Sequence, residues 1–378
     1  MRASRGWIGR QAVVPHIDGV AESGPKPRSK HRGETTMDHY AGIDVSLECS
    51  SVCVVDANGK IVREAKVASE AEALIGWFRS LGFELARIGL EAGPLSQWLY
   101  AAMKKAGLAV ELLKTRHASD AFKAMPVKSD RNDARNIAQL IRLGWFRPVH
   151  CKSMSAQETR AMLTARKLIQ AKLQDFENSL RGILRGFGLK VGKTTKRSFA
   201  ARIGELVAGH PALETIAAAT LAIHAVLLRE FNGFEKRVRA MSLLDAKARL
   251  LMSMPAVGPI ISLTYASAID DPARFTSSKR AGPLFGLTPK KYQSGETDYS
   301  GRISKNGDAS VREALYEAAH IILTKPIKGC AQLKSWAMRI AKRAGMSKAK
   351  VALARKLAVI MLRMLKDNVP FKATAMAA

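Results

Sequence analysis

Acidic side chains are scarce: 32 Asp plus Glu stand against 61 Lys plus Arg in 378 residues, a formal net charge of +29 at pH 7. A compact chain with that charge repels itself, and a polyanion relieves the repulsion, so nucleic acid is the first partner class to expect. The excess is uneven, because residues 321–378 hold 13 Lys plus Arg and a single acid, Asp367, a local balance of 13 − 1 = +12. Cysteine is scarce too. Cys49, Cys53, Cys151 and Cys330 form no CxxC pair and no zinc spacing, which excludes a disulfide-stapled scaffold and points to a reduced, cytoplasmic chain. No run of 18 apolar residues occurs; the best stretch, Ile216 to Leu228, is interrupted by Thr220 and His224, so no membrane role is expected. Aromatics make up 6% of the chain, and the Trp and Phe anchors of an interfacial helix are weak, which ranks an anionic membrane surface behind nucleic acid. What is present, 47% apolar and 25% charged residues, excludes wholesale disorder and collagen-like repetition.

Four segments follow from the pattern. Residues 1–36 are rich in Gly, Pro, Ser and Arg and read as a disordered basic extension upstream of Met37. Residues 37–150 read as an α/β domain. Three strands come first, YAGIDVS, SVCVVDA and IVREAKVA, with Asn58-Gly59 as the turn between the last two. A helix over Ser69 to Leu81, a strand ending at Glu91, a helix over Ser96 to Ala106, the strand LAVELLK and a helix beginning at Ser129 complete it. Such an order predicts a mixed sheet covered by helices. Residues 151–250 contain two long helical periods, 154–187 and 211–249, that fit either a coiled-coil-like arm or an ordinary bundle. Residues 251–378 form a further, mainly α domain.

Phosphodiester cleavage by divalent cations needs several carboxylates at one point, because Mg²⁺ prefers hard oxygen ligands. Asp44 lies inside the apolar strand GIDVS, where Gly42, Asp44 and Ser46 share a face. Glu91 ends the strand LARIGLEA, and sites in open α/β sheets gather beyond strand ends. Asp130 and Asp133 share one side of the first turn of a helix. Each acid alone fits a turn, an edge or a helix-dipole role; two strands and a helix delivering four of them in order favours a site.

In the distal half, MPAVGPIISL places Pro and Gly between two short helical stretches, as in a helix-hairpin-helix, with Gly258 allowing a turn whose amides approach a phosphate. Downstream, FGLTPKKYQSGETDYSGRISKNGD crowds glycines and the cations Lys290, Lys291, Arg302 and Lys305 around small hydroxyl residues. A serine in that setting could attack phosphorus with its charge stabilised by the cations, but the residues themselves leave open which one.

GIDVS, LEAGP and KSDRNDAR resemble the DEDD tetrad of the RuvC-like, RNase H-fold domain in one class of bacterial insertion-sequence transposases, and GLTPKKYQSG with GRISKNGD resembles the signature of their C-terminal domain. The likeness runs from about Met37 to the C-terminal region. Glu91 is followed by Ala-Gly-Pro, where many relatives have Ala-Thr-Gly. The resemblance implies that Asp44, Glu91, Asp130 and Asp133 bind Mg²⁺ or Mn²⁺. It also implies that Ser294, rather than Thr297, Ser300 or Ser304, is the covalent nucleophile; Arg302 and Lys305, among the cations beside it, are expected to stabilise phosphate. Implied as well are DNA at the element ends and target as substrate, a structured noncoding guide RNA, a homo-oligomer (dimer or tetramer) and a place at the nucleoid. Two other readings remain open at this stage: a metal-dependent junction nuclease using water, and a non-enzymatic nucleic-acid assembly factor.

Overall fold

The computed structural model describes residues 38–114 and 129–373, so the basic extension expected over 1–36 lies outside the described residues. The chain divides into two compact units, Met1–Val149 and His150–Ala378.

The first unit is built on a five-stranded sheet of β1 (His39–Val45), β2 (Cys49–Val55), β3 (Ile61–Ala68), β4 (Leu85–Glu91) and β5 (Val110–Leu113), in the order β3-β2-β1-β4-β5. β1, β2 and β3 pair antiparallel, and β1–β4 and β4–β5 pair parallel. The β2–β3 turn closes because Asp56 accepts from the amides of Asn58 and Lys60, both at 2.9 Å, while Gly59 takes φ 85°. Helices α1 (Ala71–Arg79) and α2 (Ser96–Lys105) pack against β3, β4 and β5. α3 (Asp130–Arg142) lies across β1, β2 and β4, its N-cap Ser129 accepting from the Asn132 amide. This mixed sheet with its helices is compatible with an RNase H-like domain.

Two glycines let α3 lie directly on the sheet. A Cβ built on Gly42 would sit 2.2 Å from the Ala134 carbonyl oxygen and 2.3 Å from the Ala138 nitrogen; one on Gly89 would meet the Ile141 side chain at 2.4 Å. Gly42 faces backbone, which cannot step aside. Gly42→Ala is expected to push α3 off the sheet and cost roughly 1–3 kcal/mol in a urea melt, as overpacked cores do. Gly89→Ala, facing flexible isoleucine tips, should cost less.

In the second unit, α4 (Met154–Gly186) and α6 (Pro211–Leu244) form a long pair, bridged near one end by α5 (Phe199–Val207). Arg166 pairs with Glu235, and Glu177 pairs with the buried His224 at 3.2 Å. Eleven residues forward on α4 match eleven back on α6, so the pair is antiparallel. By length and composition α6 is apolar enough to cross a membrane, although it holds no unbroken run of 18 apolar residues; its buried His224 and its Glu235 face partners on α4.

The remaining helices are α7 (Ala246–Met252), α8 (Pro259–Ile269), α9 (Ala281–Leu284), α10 (Ala309–Thr324), α11 (Ala331–Ala344) and α12 (Met346–Asp367). They bury one core around Tyr265, Phe285, Leu315, Leu353, Leu357 and Met361. Between α9 and α10 stands a hairpin of β6 (Pro289–Ser294) and β7 (Thr297–Ile303), an element that the sequence reading did not anticipate.

A polar knot fixes the start of α4. Asp270, just past α8, holds a left-handed backbone (φ 61°) and accepts from the Ser153 amide at 2.8 Å, the Ser153 hydroxyl at 2.6 Å and His150 Nε2 at 2.8 Å. Burial works to raise its carboxyl, but the hydrogen bonds from Ser153 and His150 outweigh it and hold it at about 2. The folded group titrates below the ordinary value, so its stabilisation is present above about pH 4 and fades as pH falls towards 2. Asp270→Asn, which tolerates the same backbone, should therefore be less stable than the parent at pH 6 and approach it by pH 2.5 in thermal melts.

Candidate active site

Strand alternation and register bring the four predicted acids to one end of the sheet. Gly42 and Gly89 pair across β1 and β4 and face α3. Asp44 and Glu91, each two residues further on, therefore share that face at the C-terminal ends of adjacent parallel strands. α3 runs the opposite way. Its last turn reaches the β2–β3 turn, where Gln139 donates to the Gly59 carbonyl and Arg142 to that of Ala57, while its first turn reaches back past Gly42. Asp130 and Asp133 stand one turn before Ala134 and Ile137, on the side of α3 that meets the sheet. Asp44, Glu91 and Asp133 are half-buried and Asp130 is exposed.

The donor set, four carboxylates, is of the hard-oxygen kind that Mg²⁺ or Mn²⁺ takes. Among the described residues no group of three or more His, Cys, Asp or Glu side chains is already drawn together to hold a metal. Asp44 and Glu91 each have polar partners within the chain.

Beside the acids lies a cluster that sequence reasoning missed. Glu64 on β3 shares a row of the sheet with Cys53 and Gly42. Its carboxylate accepts from Arg131 Nε at 2.9 Å and Arg135 Nη2 at 2.9 Å on one oxygen, and from Arg135 Nε on the other. Arg135, then Arg131, hold the Glu64 carboxyl down at about 2 against the opposing effect of burial. Burial and the Glu64 charge push the Cys53 thiol up to about 12, leaving it a packed, unreactive group.

The predicted serine lies in the second unit. Ser294 ends β6 and pairs with Thr297 across a two-residue turn in which Gly295 has φ 54°. All six β6 residues are exposed. Tyr292 and Tyr299 stack at 4.9 Å, and alternation puts Ser294 and Thr297 on their face of the hairpin, with Ser300 on the other. Ser304 sits half-buried at the base, its hydroxyl accepting from the Asn306 amide. Geometry thus separates Ser294 and Thr297 from the other two hydroxyls without choosing between them. Lys290 and Arg302 are exposed; Lys291 pairs with Asp298 at 3.3 Å; Lys305 has a left-handed backbone (φ 55°) and donates its amide to Gly286.

The hairpin base shows why its motif glycines matter. Gly286 (φ 64°) and Gly307 (φ 82°) interlock two loops, since a Cβ on either would lie 2.2 Å from the Asn306 oxygen or 2.0 Å from the Leu284 oxygen. Arg312 donates to the carbonyls of Phe285, Asn306 and Gly307, and Asp308 caps α10 through the amides of Ser310 and Val311. Gly258 differs from expectation: the left-handed residue in its turn is Ala256 (φ 68°), while Gly258 at φ −92° has a backbone open to any residue and serves as the N-cap of α8.

The cations of α12 are largely engaged within the unit. Lys350 lies over Tyr316, Lys356 over Trp336, Arg363 pairs with Asp367 and Lys366 donates to the Thr276 carbonyl.

Comparison with known proteins bears on both units. Residues 41–188 match the family profile of DEDD transposases of the IS110 type, and residues 248–334 match the profile described as the transposase IS116/IS110/IS902 family. The chain is 25% identical over 343 residues to the transposase for insertion sequence element IS1111A of Coxiella burnetii, covering 88% of this chain and 91% of that protein. It is 24% identical over 344 residues to a "Probable family 20 transposase" of Pseudomonas aeruginosa, covering 88% and 98%.

Proposed function

Because the chain belongs to the IS116/IS110/IS902 family of transposases, enzymes that cut and join DNA, we propose that Asp44, Glu91, Asp130 and Asp133 hold Mg²⁺ or Mn²⁺ at a scissile phosphate and that Ser294 is the nucleophile. The observation that carries the metal assignment is the shared end of β1 and β4 under the first turn of α3. When bound, the ion would stabilise charge on the phosphoryl oxygens. Ser294 Oγ forms a bond to phosphorus as the bond to a deoxyribose oxygen breaks, and that oxygen leaves as a hydroxyl carrying the proton that serine lost. Joining repeats the exchange: a hydroxyl of the second strand attacks the phosphoserine and returns the serine. Lys290, Lys291, Arg302 and Lys305 lie on or beside the same exposed hairpin and supply phosphate contacts. Tyr292 and Tyr299 offer a stacked platform on which an unpaired base can rest. The N-terminus of α8 at Gly258, in a helix-hairpin-helix arrangement with α7, takes a backbone phosphate.

The same reading has the transposase working at the nucleoid as a dimer or tetramer, with a structured noncoding RNA of the element as guide. The net charge of +29 suits two nucleic acids at once. On this reading α6 serves the arm by packing along α4 and does not enter a membrane. The test is a denaturing gel of the protein with matched element-end DNA, with and without Mg²⁺ and after RNase treatment. A covalent protein–DNA band that needs Mg²⁺ and is lost with RNase supports the proposal; free 5′ or 3′ ends without such a band would assign the attack to water.

A further inference from the structure

We infer that Glu64 is a positioning residue of the metal site, which keeps Arg131 and Arg135 off the tetrad carboxylates; the inference rests on the proposed Mg²⁺ site. Arg131 follows Asp130 in the chain and precedes Asp133 by two residues, so its guanidinium springs from the same helical turn as two of the four ligands. A guanidinium released there has carboxylates as its natural partners, and a charge-assisted pair with them occupies the lone pairs that a cation needs.

Glu64 prevents this by position. Its row, Glu64–Cys53–Gly42, is two residues along the strands from the row Lys66–Ser51–Asp44, on the same face of the sheet. From there both of its oxygens are used, by Arg135 on one and by Arg131 and Arg135 on the other, and its side chain is only 14% exposed. The grip also ties the first turns of α3 to the edge strand, so the helix bearing Asp130 and Asp133 is anchored at the end where the ligands lie. The two partners lie 67 and 71 residues from Glu64 in the chain.

The test is Mn²⁺ titration of the full-length protein followed by electron paramagnetic resonance, with thermal melts on the same samples. Glu64→Gln keeps the shape and removes the charge. It is expected to stay folded and to bind Mn²⁺ about 10-fold or more weakly, in the range found when groups orienting a ligand are lost. Glu84→Gln makes the same charge change on an exposed residue just before β4, at the other end of that strand, and should bind as the parent does. Combining Glu64→Gln with Arg131→Gln and Arg135→Gln removes the competing guanidiniums and should regain most of the affinity. Parental affinity in a folded Glu64→Gln chain, or no recovery in the triple variant, overturns the inference. Parental affinity in Asp44→Asn would instead overturn the metal site itself, so the two failures are distinguishable.

Discussion

A Ser294→Ala chain given matched element-end DNA and Mg²⁺ should show no covalent protein–DNA species on a denaturing gel, and its strand joining should fall by on the order of 10⁴-fold, as when an enzyme's nucleophile is deleted. The change takes one hydroxyl from the tip of a hairpin whose first strand is wholly exposed. Folding and DNA binding should therefore persist, which separates a chemical defect from a structural one. Thr297 is the internal control, because it stands directly across the turn on the same face. Thr297→Ala should keep the adduct. An adduct that survives Ser294→Ala and disappears with Thr297→Ala would move the nucleophile to the opposite strand.

Asp44→Asn should abolish cleavage with a different signature. The loss, at least about 10³-fold, would come without loss of the folded state, because the amide fills the same volume on β1 and removes one charge from the end of the sheet that carries the four acids. Without divalent cation, its melting temperature should equal or exceed that of the parent, as is common when a functional site gives up mutual repulsion. A variant that melts far below the parent would mean that Asp44 is a structural residue held by its polar partners.

Strands, helices and acids of the first unit were readable because their cues are local: an acid inside GIDVS, an acid ending LARIGLEA and a capped helix start at Ser129. Their placement at one end of the sheet could be anticipated from their order but required the register, in which Gly42 lies beside Gly89 under α3. The Glu64 cluster was invisible, since nothing in IVREAKVA announces partners some seventy residues away. The hairpin of residues 289–303 was missed for another reason: its strands are exposed, so they lack the alternation of apolar residues that marks a half-buried strand, and only the Gly295 turn and the facing Tyr292 and Tyr299 hinted at it. Gly258 drew attention as a turn residue because glycine is the usual bearer of a left-handed backbone; here Ala256 bears it. In the same unit, Gly286, Gly307 and Arg312 form one lock at the hairpin base whose parts lie in separate loops, which no short motif conveys.

The proposed metal site is tested most directly by anomalous diffraction from crystals of the transposase soaked in Mn²⁺, recorded at the manganese edge. A peak within coordination distance of Asp44 and Glu91, under the first turn of α3 that carries Asp130 and Asp133, is the expected result. Manganese bound elsewhere on the protein, with that end of the sheet empty at saturating concentration, would contradict it.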